Sequence, residues 1–224
     1  MNKETARFNM IEQQIRPWEV LDGAVLSLLA SVRREDFVPP AMRALAFVDT
    51  QVPLTAAGTQ GPCMLEPKVE ARLLQEMQVQ RHEKVLEIGT GSGFMTALLA
   101  HRAQHVFSLE CVPALVKMAR DSLHRNGIIN ATVLEMAAAD AAHGLPAEAP
   151  FDVIALSGSV AEVPRELLQQ LKPGGRLAAV VGDEPVMRAR LYTRVGEAAW
   201  SEVDLFDTVA TRLAGFAEPA RFAF

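Results

Sequence analysis

The stretch "VLEIGTGSGFMTALLA", residues 85–100, decides the fold of this 224-residue chain. A short apolar run reaches an acidic residue, Glu87, then glycines alternate with hydroxyl residues and a helical pattern begins. A buried strand that turns tightly into a helix predicts the first strand–turn–helix unit of a parallel sheet. Glycines suit such a turn, because a Cβ there would block the approach of a ligand to the backbone.

The chain beyond residue 68 continues this alternation, which predicts a mostly parallel sheet with helices on both faces. We therefore expect an α/β fold with one Rossmann-like domain over residues 68–224. Two more strand-like pieces lie in its last part, at residues 189–195 and 200–206. The strands are predicted at 84–89, 105–110, 131–138, 151–158 and 176–182, and the helices at 68–77, 93–103, 112–127 and 164–175.

The preceding part, residues 1–67, is predicted to be a helical extension and a loop packed on that domain. Apolar residues recur at helical spacing over about residues 4–48, and Asp22 is a plausible N-cap. Residues 49–67 are rich in Gly, Pro and Thr and predict a long irregular connection. Because such connections inside compact domains are usually functional, we expect this loop to take part in the site.

Composition and charge indicate which kinds of binding partner the protein is not expected to have. The formal net charge of −5 argues against a nucleic-acid surface, which needs clustered Lys and Arg. Cys63 and Cys111 lie far apart and form no metal-binding signature, so no metal is expected. A polar N-terminus without an apolar leader, and apolar runs too short to cross a bilayer, predict a cytoplasmic protein with no membrane partner.

The acidic residues around the glycine turn indicate the ligand. Phe94 stands where a dinucleotide fingerprint needs its third glycine, and no Gly-Lys-Ser/Thr follows as in a phosphate-binding loop. Glu87 would repel a pyrophosphate but suits an ammonium or sulfonium. Glu110, at the end of the next predicted strand, can accept from both ribose hydroxyls. Asp140, expected at the end of the strand after that, can accept from an adenine amine, so we predict S-adenosylmethionine as the cofactor.

The predicted site has a cofactor side and a substrate side. On the cofactor side the candidates are Glu87, Gly89, Thr90, Gly91, Ser92, Gly93, Glu110, Cys111, Ala139 and Asp140. On the substrate side no catalytic residue is assigned, and the candidates are Cys63, Met64, Leu65, Ser157 and Ser159.

With these residues assembled, nearly the whole chain resembles the protein-L-isoaspartate O-methyltransferase family. The resemblance implies a class I S-adenosylmethionine-dependent methyltransferase fold and S-adenosylhomocysteine as product. It also implies a protein or peptide substrate in which the α-carboxylate of an isoaspartyl residue is methylated, after which the ester collapses to a succinimide. Besides residues 85–100, the similar segments are "MIEQQIR" (10–16), "REDFVP" (34–39), "AFVDTQVPL" (46–54), "APFDVIALSGSVAEVP" (149–164) and "LLQQLKPGGRLAAVVG" (167–182).

Two segments depart from the family pattern, and the second reads "ADAAHG" at residues 139–144 in place of GDGxxG, with Asp140 retained. The first is the substrate loop. The family reads GQTIS-x-P, whereas this chain reads "GPCMLEP" at residues 61–67, so that Cys63 replaces Thr and Leu65 replaces Ser. A buried substrate carboxylate would lose a hydrogen-bond donor there, at a cost of about 1–3 kcal/mol. Two alternatives therefore stay open: methyl transfer to a different acceptor, or a module that binds S-adenosylmethionine without turnover.

Overall fold

The computed structural model describes residues 2–218 and contains a seven-stranded sheet and a separate two-stranded one. The small sheet pairs β1 (Val52–Pro53) with β2 (Cys63–Met64). The strands of the large sheet are β3 (Lys84–Ile88), β4 (His105–Glu110), β5 (Ala131–Glu135), β6 (Phe151–Val160), β7 (Leu171–Asp183), β8 (Val186–Arg194) and β9 (Trp200–Thr208).

Seven α-helices accompany the strands in the described part of the chain. Single π-helical and 3₁₀ turns extend the N-terminal helices at Ile11–Ile15, Arg16–Trp18, Arg34–Asp36 and Pro40–Leu45. The α-helices are α1 (Lys3–Met10), α2 (Gly23–Ser31), α3 (Pro67–Met77), α4 (Phe94–Arg102), α5 (Pro113–Arg125), α6 (Ala138–Ala142) and α7 (Arg165–Gln169).

The large sheet has the order β5-β4-β3-β6-β7-β8-β9. Strands from β5 to β7 pair in parallel, and β8 and β9 add antiparallel pairs at the far edge. The chain runs outward from β3 through β4 to β5, then crosses back to place β6 on the other side of β3. This reversal creates a switch point above the carboxyl end of β3, where open α/β sheets bind ligands.

Each face of the sheet carries its own hydrophobic core, as the near-continuous apolar strands predict. One core joins the N-terminal helices, α3, α4 and α5 to the sheet. The other lies under α6 and α7 and includes Phe151, Leu177, Tyr192 and Phe216. The predicted Rossmann-like α/β fold with helices on both faces is confirmed, while the proposed boundary at residue 67 stays a prediction.

Local capping explains where the N-terminal helices begin. The Asp22 carboxylate accepts hydrogen bonds from the backbone N–H groups of Ala24 and Val25, at 2.7 and 3.2 Å. This satisfies two of the donors that a helix start leaves unpaired, and the predicted N-cap is confirmed.

Two local expectations were wrong. The connection over residues 49–67 is not wholly irregular, because β1 and β2 pair across it. The helix predicted over residues 164–175 ends at Gln169, and β7 already begins at Leu171, which pairs with Phe151 of β6. Apolar residues of a buried strand and of a short helix look alike in sequence, so periodicity alone misplaced this boundary.

A C-terminal segment, residues 210–216, folds back on the end of β6. The Ser159 N–H donates to the carbonyl of Thr211 at 2.8 Å, and the Leu213 N–H donates to the carbonyl of Ser159 at 2.9 Å. Gly215 then packs directly on α6 in the left-handed conformation, with φ +87°, and a Cβ there would lie 2.1 Å from the Ala138 carbonyl oxygen. Only glycine fits this approach.

The substitution Gly215→Ala tests this packing, with Gly174→Ala as the matched control. Gly174 also has positive φ (+77°), but a Cβ there meets nothing within 4 Å. We expect Gly174→Ala to cost about 1–2 kcal/mol of unfolding free energy from left-handed strain, and Gly215→Ala about 3 kcal/mol because overpacking is added. Urea denaturation measures both, and equal losses would contradict the close contact.

Candidate functional site

A cavity of about 270 Å³ opens at the switch point of the sheet. Its walls come from the carboxyl ends of β3, β4 and β6, from the glycine turn, from the loop before β2, from α6 and from the C-terminal segment. The residues that line it are Gln60, Gly61, Pro62, Cys63, Ile88, Gly89, Gly91, Leu109, Glu110, Cys111, Val112, Ala138, Ala141, Ser157, Thr211, Arg212, Leu213 and Ala214.

The glycine turn forms the floor of this cavity. Gly89, Gly91 and Gly93 all have positive φ, at +92°, +55° and +86°. A Cβ on Gly89 would lie 2.6 Å from Cδ2 of Leu213, and one on Gly93 would lie 3.3 Å from Ala119 of α5. Gly89 and Gly91 therefore let the backbone approach the cavity, and Gly93 lets α4 pack tightly on α5.

Glu110 ends β4 at the cavity wall, as predicted. Its Oε1 accepts from the backbone N–H groups of Cys111 and Val112, at 2.9 and 3.0 Å, and its Oε2 accepts from the Gly91 N–H at 2.7 Å. An ionised carboxylate offers about four acceptor positions, so capacity remains for a ligand hydroxyl. The carboxylate is thus fixed by backbone donors in the position predicted to hold a ribose.

Cys111 follows Glu110 and also lines the cavity. Burial raises the pKa of its thiol, and the neighbouring Glu110 carboxylate raises it further. The Cys111 side chain therefore stays a neutral thiol at physiological pH.

Glu87 lies beneath the turn and is fully buried. Its carboxylate accepts hydrogen bonds from three hydroxyls, those of Thr96 on α4 at 2.5 Å, Ser108 on β4 at 2.7 Å and Ser157 on β6 at 2.7 Å. Burial raises its pKa to about 7, against the opposing effect of these donors. All three partners are neutral, so the charge of Glu87 is solvated by dipoles and not by a side-chain cation.

A bulge in β6 aims Ser157 at the cavity. In the β6–β7 pairing, Ala155 is opposite Ala178 and Ser159 is opposite Val180. Between these two pairs β6 therefore has two residues more than β7. Such irregularities re-aim side chains beside binding sites. Ser159, also a substrate-side candidate, is fully buried and donates to the Ala210 carbonyl at 2.8 Å, so its hydroxyl does not reach the cavity.

A second, water-sized cavity of about 20 Å³ continues below the first. Cys63, Gly89, Gly91 and Ser157 line both cavities, so the two spaces adjoin. The other residues that line it belong to the substrate loop, the glycine turn and the start of α4, or are the two buried carboxylates. They are Leu54, Met64, Leu65, Glu70, Glu87, Thr90, Ser92, Phe94 and Met95.

The three candidate residues in the substrate loop differ in how far they are buried. Cys63 is half-buried, and its thiol donates to the Gly61 carbonyl at 3.4 Å. Met64 and Leu65 are buried, with 4% and 3% of their surface exposed. Leu65 therefore presents an aliphatic side chain in the frame where the family pattern has a hydroxyl.

Arg34 anchors this loop, a role that the sequence analysis missed. Its guanidinium forms a fully buried ion pair with Glu70 on α3, donates to the Leu65 carbonyl at 2.8 Å and packs 5.0 Å from the ring centre of Phe94. Burial raises the pKa of Glu70 to about 7, and Arg34 opposes that effect. The only signal in sequence was the segment "REDFVP", which gives no contact partner.

The placement expected for Asp140 and Ala139 was wrong, while the cofactor contacts predicted for them stay predictions. Asp140 does not end a strand: β5 stops at Glu135, and Asp140 lies in α6 with an exposed side chain. Ala139 is also exposed, and the cavity is lined instead by Ala138 and Ala141 of the same helix. The spacing was misread because a short helix, not a continued strand, follows β5.

The hydroxyls of the glycine turn point inward. Thr90 and Ser92 are buried, and the Thr90 hydroxyl lies 2.6 Å from that of Ser108. The segment Thr211–Ala214 lines the main cavity but had no recognised signal, since it carries no periodic pattern.

Two kinds of feature are absent from residues 2–218: metal-binding clusters and membrane-spanning helices. No cluster of three or more His, Cys, Asp or Glu side chains within residues 2–218 could hold a metal ion. Over the same range, no helix combines the length and the apolar character needed to cross a bilayer.

The charges around the two cavities favour a cationic ligand. Arg34 balances Glu70, and Arg212, which also lines the main cavity, pairs with Asp183 and Glu218. Glu87 is thus left without a cation, and Glu110 adds a second carboxylate. A buried charge is costly without an opposite one. A ligand with ammonium and sulfonium groups would supply it, whereas a pyrophosphate would be repelled.

Comparison with known proteins places the chain in a family. The family model described as Protein-L-isoaspartate(D-aspartate) O-methyltransferase (PCMT) matches residues 5–208. The chain is 39% identical over 182 residues to the protein-L-isoaspartate O-methyltransferase of Myxococcus xanthus, covering 80% of this chain and 82% of that one. It is 36% identical over 207 residues to protein-L-isoaspartate O-methyltransferase 2 of Marinobacter nauticus, covering 92% and 91%.

Solved structures show the same fold. A Plasmodium falciparum protein assigned to PCMT, solved in complex with S-adenosyl-L-homocysteine, superposes with a TM-score of 0.77 at 19% identity. The match covers 96% of this chain and 99% of that one, so the N-terminal helices and the C-terminal strands are part of the shared architecture.

The substitution Arg34→Met tests the buried anchor, with Arg33→Met as control. Arg33 is exposed and pairs with Asp36 on the surface. We expect Arg34→Met to lower the unfolding free energy by about 3–5 kcal/mol, because it leaves Glu70 buried without its cation. Arg33→Met should cost less than about 1 kcal/mol.

The pH dependence of that loss gives a second check. Arg34 lowers the pKa of Glu70, which burial raises to about 7 in the folded protein, so without Arg34 we expect that pKa to rise further, while the unfolded value stays near its usual range. The folded protein then binds more protons, so stability falls as pH rises through neutrality. Urea denaturation should show a larger loss at about pH 8 than at about pH 5, and a pH-independent loss would exclude this explanation.

Proposed function

The chain belongs to the protein-L-isoaspartate(D-aspartate) O-methyltransferase family and is an S-adenosylmethionine-dependent O-methyltransferase, and on that premise we propose that it methylates the α-carboxyl group of isoaspartyl residues in damaged protein. The observation that carries the proposal is the cavity at the switch point, bounded by the glycine turn and Glu110 and continuous with the substrate loop.

The residues present fit the cofactor. Gly89 and Gly91, both at positive φ, leave a cradle at the cavity that side chains would obstruct, and Glu110, which accepts three backbone hydrogen bonds, keeps acceptor capacity for a ribose hydroxyl. Leu109, Ala138, Ala141 and Leu213 supply apolar walls suited to an adenine ring. Glu87, reached through the smaller cavity, offers its charge to the methionine end. When bound, S-adenosylmethionine supplies an electrophilic methyl group on sulfur.

The chain needs to position the acceptor more than to activate it. A carboxylate is already ionised at neutral pH, so no general base is required, and accurate alignment supplies most of the rate. Cys63 and Ser157 stand at the junction of the two cavities, and Thr211 faces the main one. We propose that these three side chains border the place where the acceptor carboxylate lies.

The altered loop is compatible with this function. Arg34 holds the Leu65 segment through its backbone carbonyl, so the shape of the loop does not depend on the side chain at position 65. The hydroxyls of Ser157 and Thr211 at the cavity wall already donate, to Glu87 and to the side-chain oxygen of Gln51, but the loop keeps its path without a hydroxyl at position 65. For this reason we favour the isoaspartyl acceptor over a different one.

Replacing the ribose carboxylate should weaken cofactor binding. We expect Glu110→Gln to raise the Kd for S-adenosylhomocysteine by about 10- to 100-fold, since a hydrogen bond to a charged group is worth about 1.5–3 kcal/mol. Glu135→Gln is the control, because Glu135 ends the neighbouring strand β5 at an exposed position outside the cavity. Titration calorimetry measures both, and equal effects would remove Glu110 from the binding site.

A pair of peptides tests the acceptor itself. An isoaspartyl peptide and the same peptide with ordinary aspartate are incubated with labelled S-adenosylmethionine, and base-labile methyl ester is counted. We expect multiple turnovers on the isoaspartyl peptide and background on its partner. No ester on either peptide, in protein that binds the cofactor, would reject the proposed substrate.

A further inference from the structure

The hydrogen bonds around Glu87 differ in one respect. Three hydroxyls donate to its carboxylate, but only that of Ser157 also lines the main cavity. Thr96 and Ser108 are fully buried and line neither cavity. Of these three donors, Ser157 is therefore the one that links the carboxylate to the main cavity, while Glu87 itself lines the smaller cavity.

The hydroxyl group of Ser157 can donate its hydrogen bond in only one direction at a time. A hydroxyl has a single hydrogen, and donation to Oε1 of Glu87 leaves only lone pairs facing the cavity. If Glu87 carries a proton on Oε1, it donates to Ser157 instead, and the hydrogen of Ser157 turns into the cavity. The charge state of Glu87 thus sets what Ser157 presents to a ligand.

The surroundings of Glu87 allow both charge states near neutral pH. Its hydroxyl partners lie on α4, β4 and β6, and the charged groups nearby are Glu110, Glu70 and the Arg34 that pairs with Glu70. Burial and Glu110 disfavour the ionised form, and the three donors favour it, which leaves the pKa of Glu87 at about 7. Added positive charge in the cavity would favour ionisation.

We propose that Glu87 and Ser157 form a proton-linked sensor of the positive charge on the cofactor, an inference that rests on the cofactor and reaction given above. Arrival of a sulfonium drives the proton off Glu87: its O–H bond breaks, the proton passes to the Ser157 oxygen, and the hydrogen that Ser157 held leaves through the cavity to solvent. Methyl transfer removes the sulfonium charge, and a proton returns to Glu87 by the same route.

The sensor makes binding depend on pH in a defined direction. Below about pH 7 the free protein holds the proton, so a cationic ligand must displace it, and affinity rises by up to about tenfold per pH unit. Above that pH Glu87 is already ionised and affinity levels off. The neutral thioether of S-adenosylhomocysteine lacks the sulfonium charge and should displace less of the proton.

Titration calorimetry on the purified full chain measures this directly. Each ligand is titrated at about pH 6 and about pH 8, in two buffers of different ionisation enthalpy, which gives the number of protons released. For S-adenosylmethionine at the lower pH we expect close to one proton released, and about a tenfold gain in affinity between the two. S-adenosylhomocysteine should give a clearly smaller release and a smaller gain.

Three variants separate the sensor from a general effect. Glu87→Gln should abolish the difference between the ligands, because an amide does not titrate. Ser157→Ala removes one donor that favours the ionised carboxylate, so the midpoint of the pH dependence should move upward. Ser159→Ala, two residues along the same strand and bonded to the Ala210 carbonyl, should leave the midpoint where it is.

Several outcomes would overturn the proposal. Equal proton release for the two ligands would show that the sulfonium is not sensed, and wild-type behaviour in Ser157→Ala would remove Ser157 from the path. If Glu87→Gln does not fold, the wild-type and Ser157→Ala titrations decide alone. No peptide is present in these titrations, so their failure is distinct from a failure to methylate isoaspartyl residues.

Discussion

The need to solvate one buried carboxylate organises the centre of this protein. Glu87 has no side-chain cation beside it, so its charge depends on hydroxyls brought from α4, β4 and β6. Each of those elements also forms a wall of the cavity or the turn beneath it. Because a buried charge without donors is very costly, the same hydrogen bonds that stabilise Glu87 hold α4, β4 and β6 together around it.

A second buried group, Arg34, performs the corresponding task for the substrate side. It joins the N-terminal layer to α3 through Glu70, to the loop through the Leu65 carbonyl and to α4 through Phe94. Its bond to the loop is made by the backbone, and the loop can therefore vary in side chain while keeping its path. This accounts physically for an intact family fold around an altered "GPCMLEP" segment.

Predictions from the sequence were correct where a local sequence pattern is compatible with only one local structure. Strand-length apolar runs, the glycine turn and the Asp22 cap each identified their element, and Glu110 follows directly from the end of a strand. They were wrong where the same short pattern is compatible with both a helix and a strand. Asp140 was placed at a strand end because a short helix after β5 has too few residues to show a period. The boundary after Gln169 was misjudged for the same reason.

The sequence by itself determined the α/β alternation, the site of the turn and the preference for a cationic ligand, because periodicity, glycine and charge are properties of contiguous residues. Only the tertiary structure decided which side chains share the cavity. The bulge that turns Ser157 inward and Ser159 away depends on pairing with β7, and the placing of Thr211 to Ala214 depends on pairing with β6. Arg34 meets Glu70 across 36 residues of chain. Contacts between distant segments are set by how the elements pack, and packing leaves no pattern in a contiguous stretch of sequence.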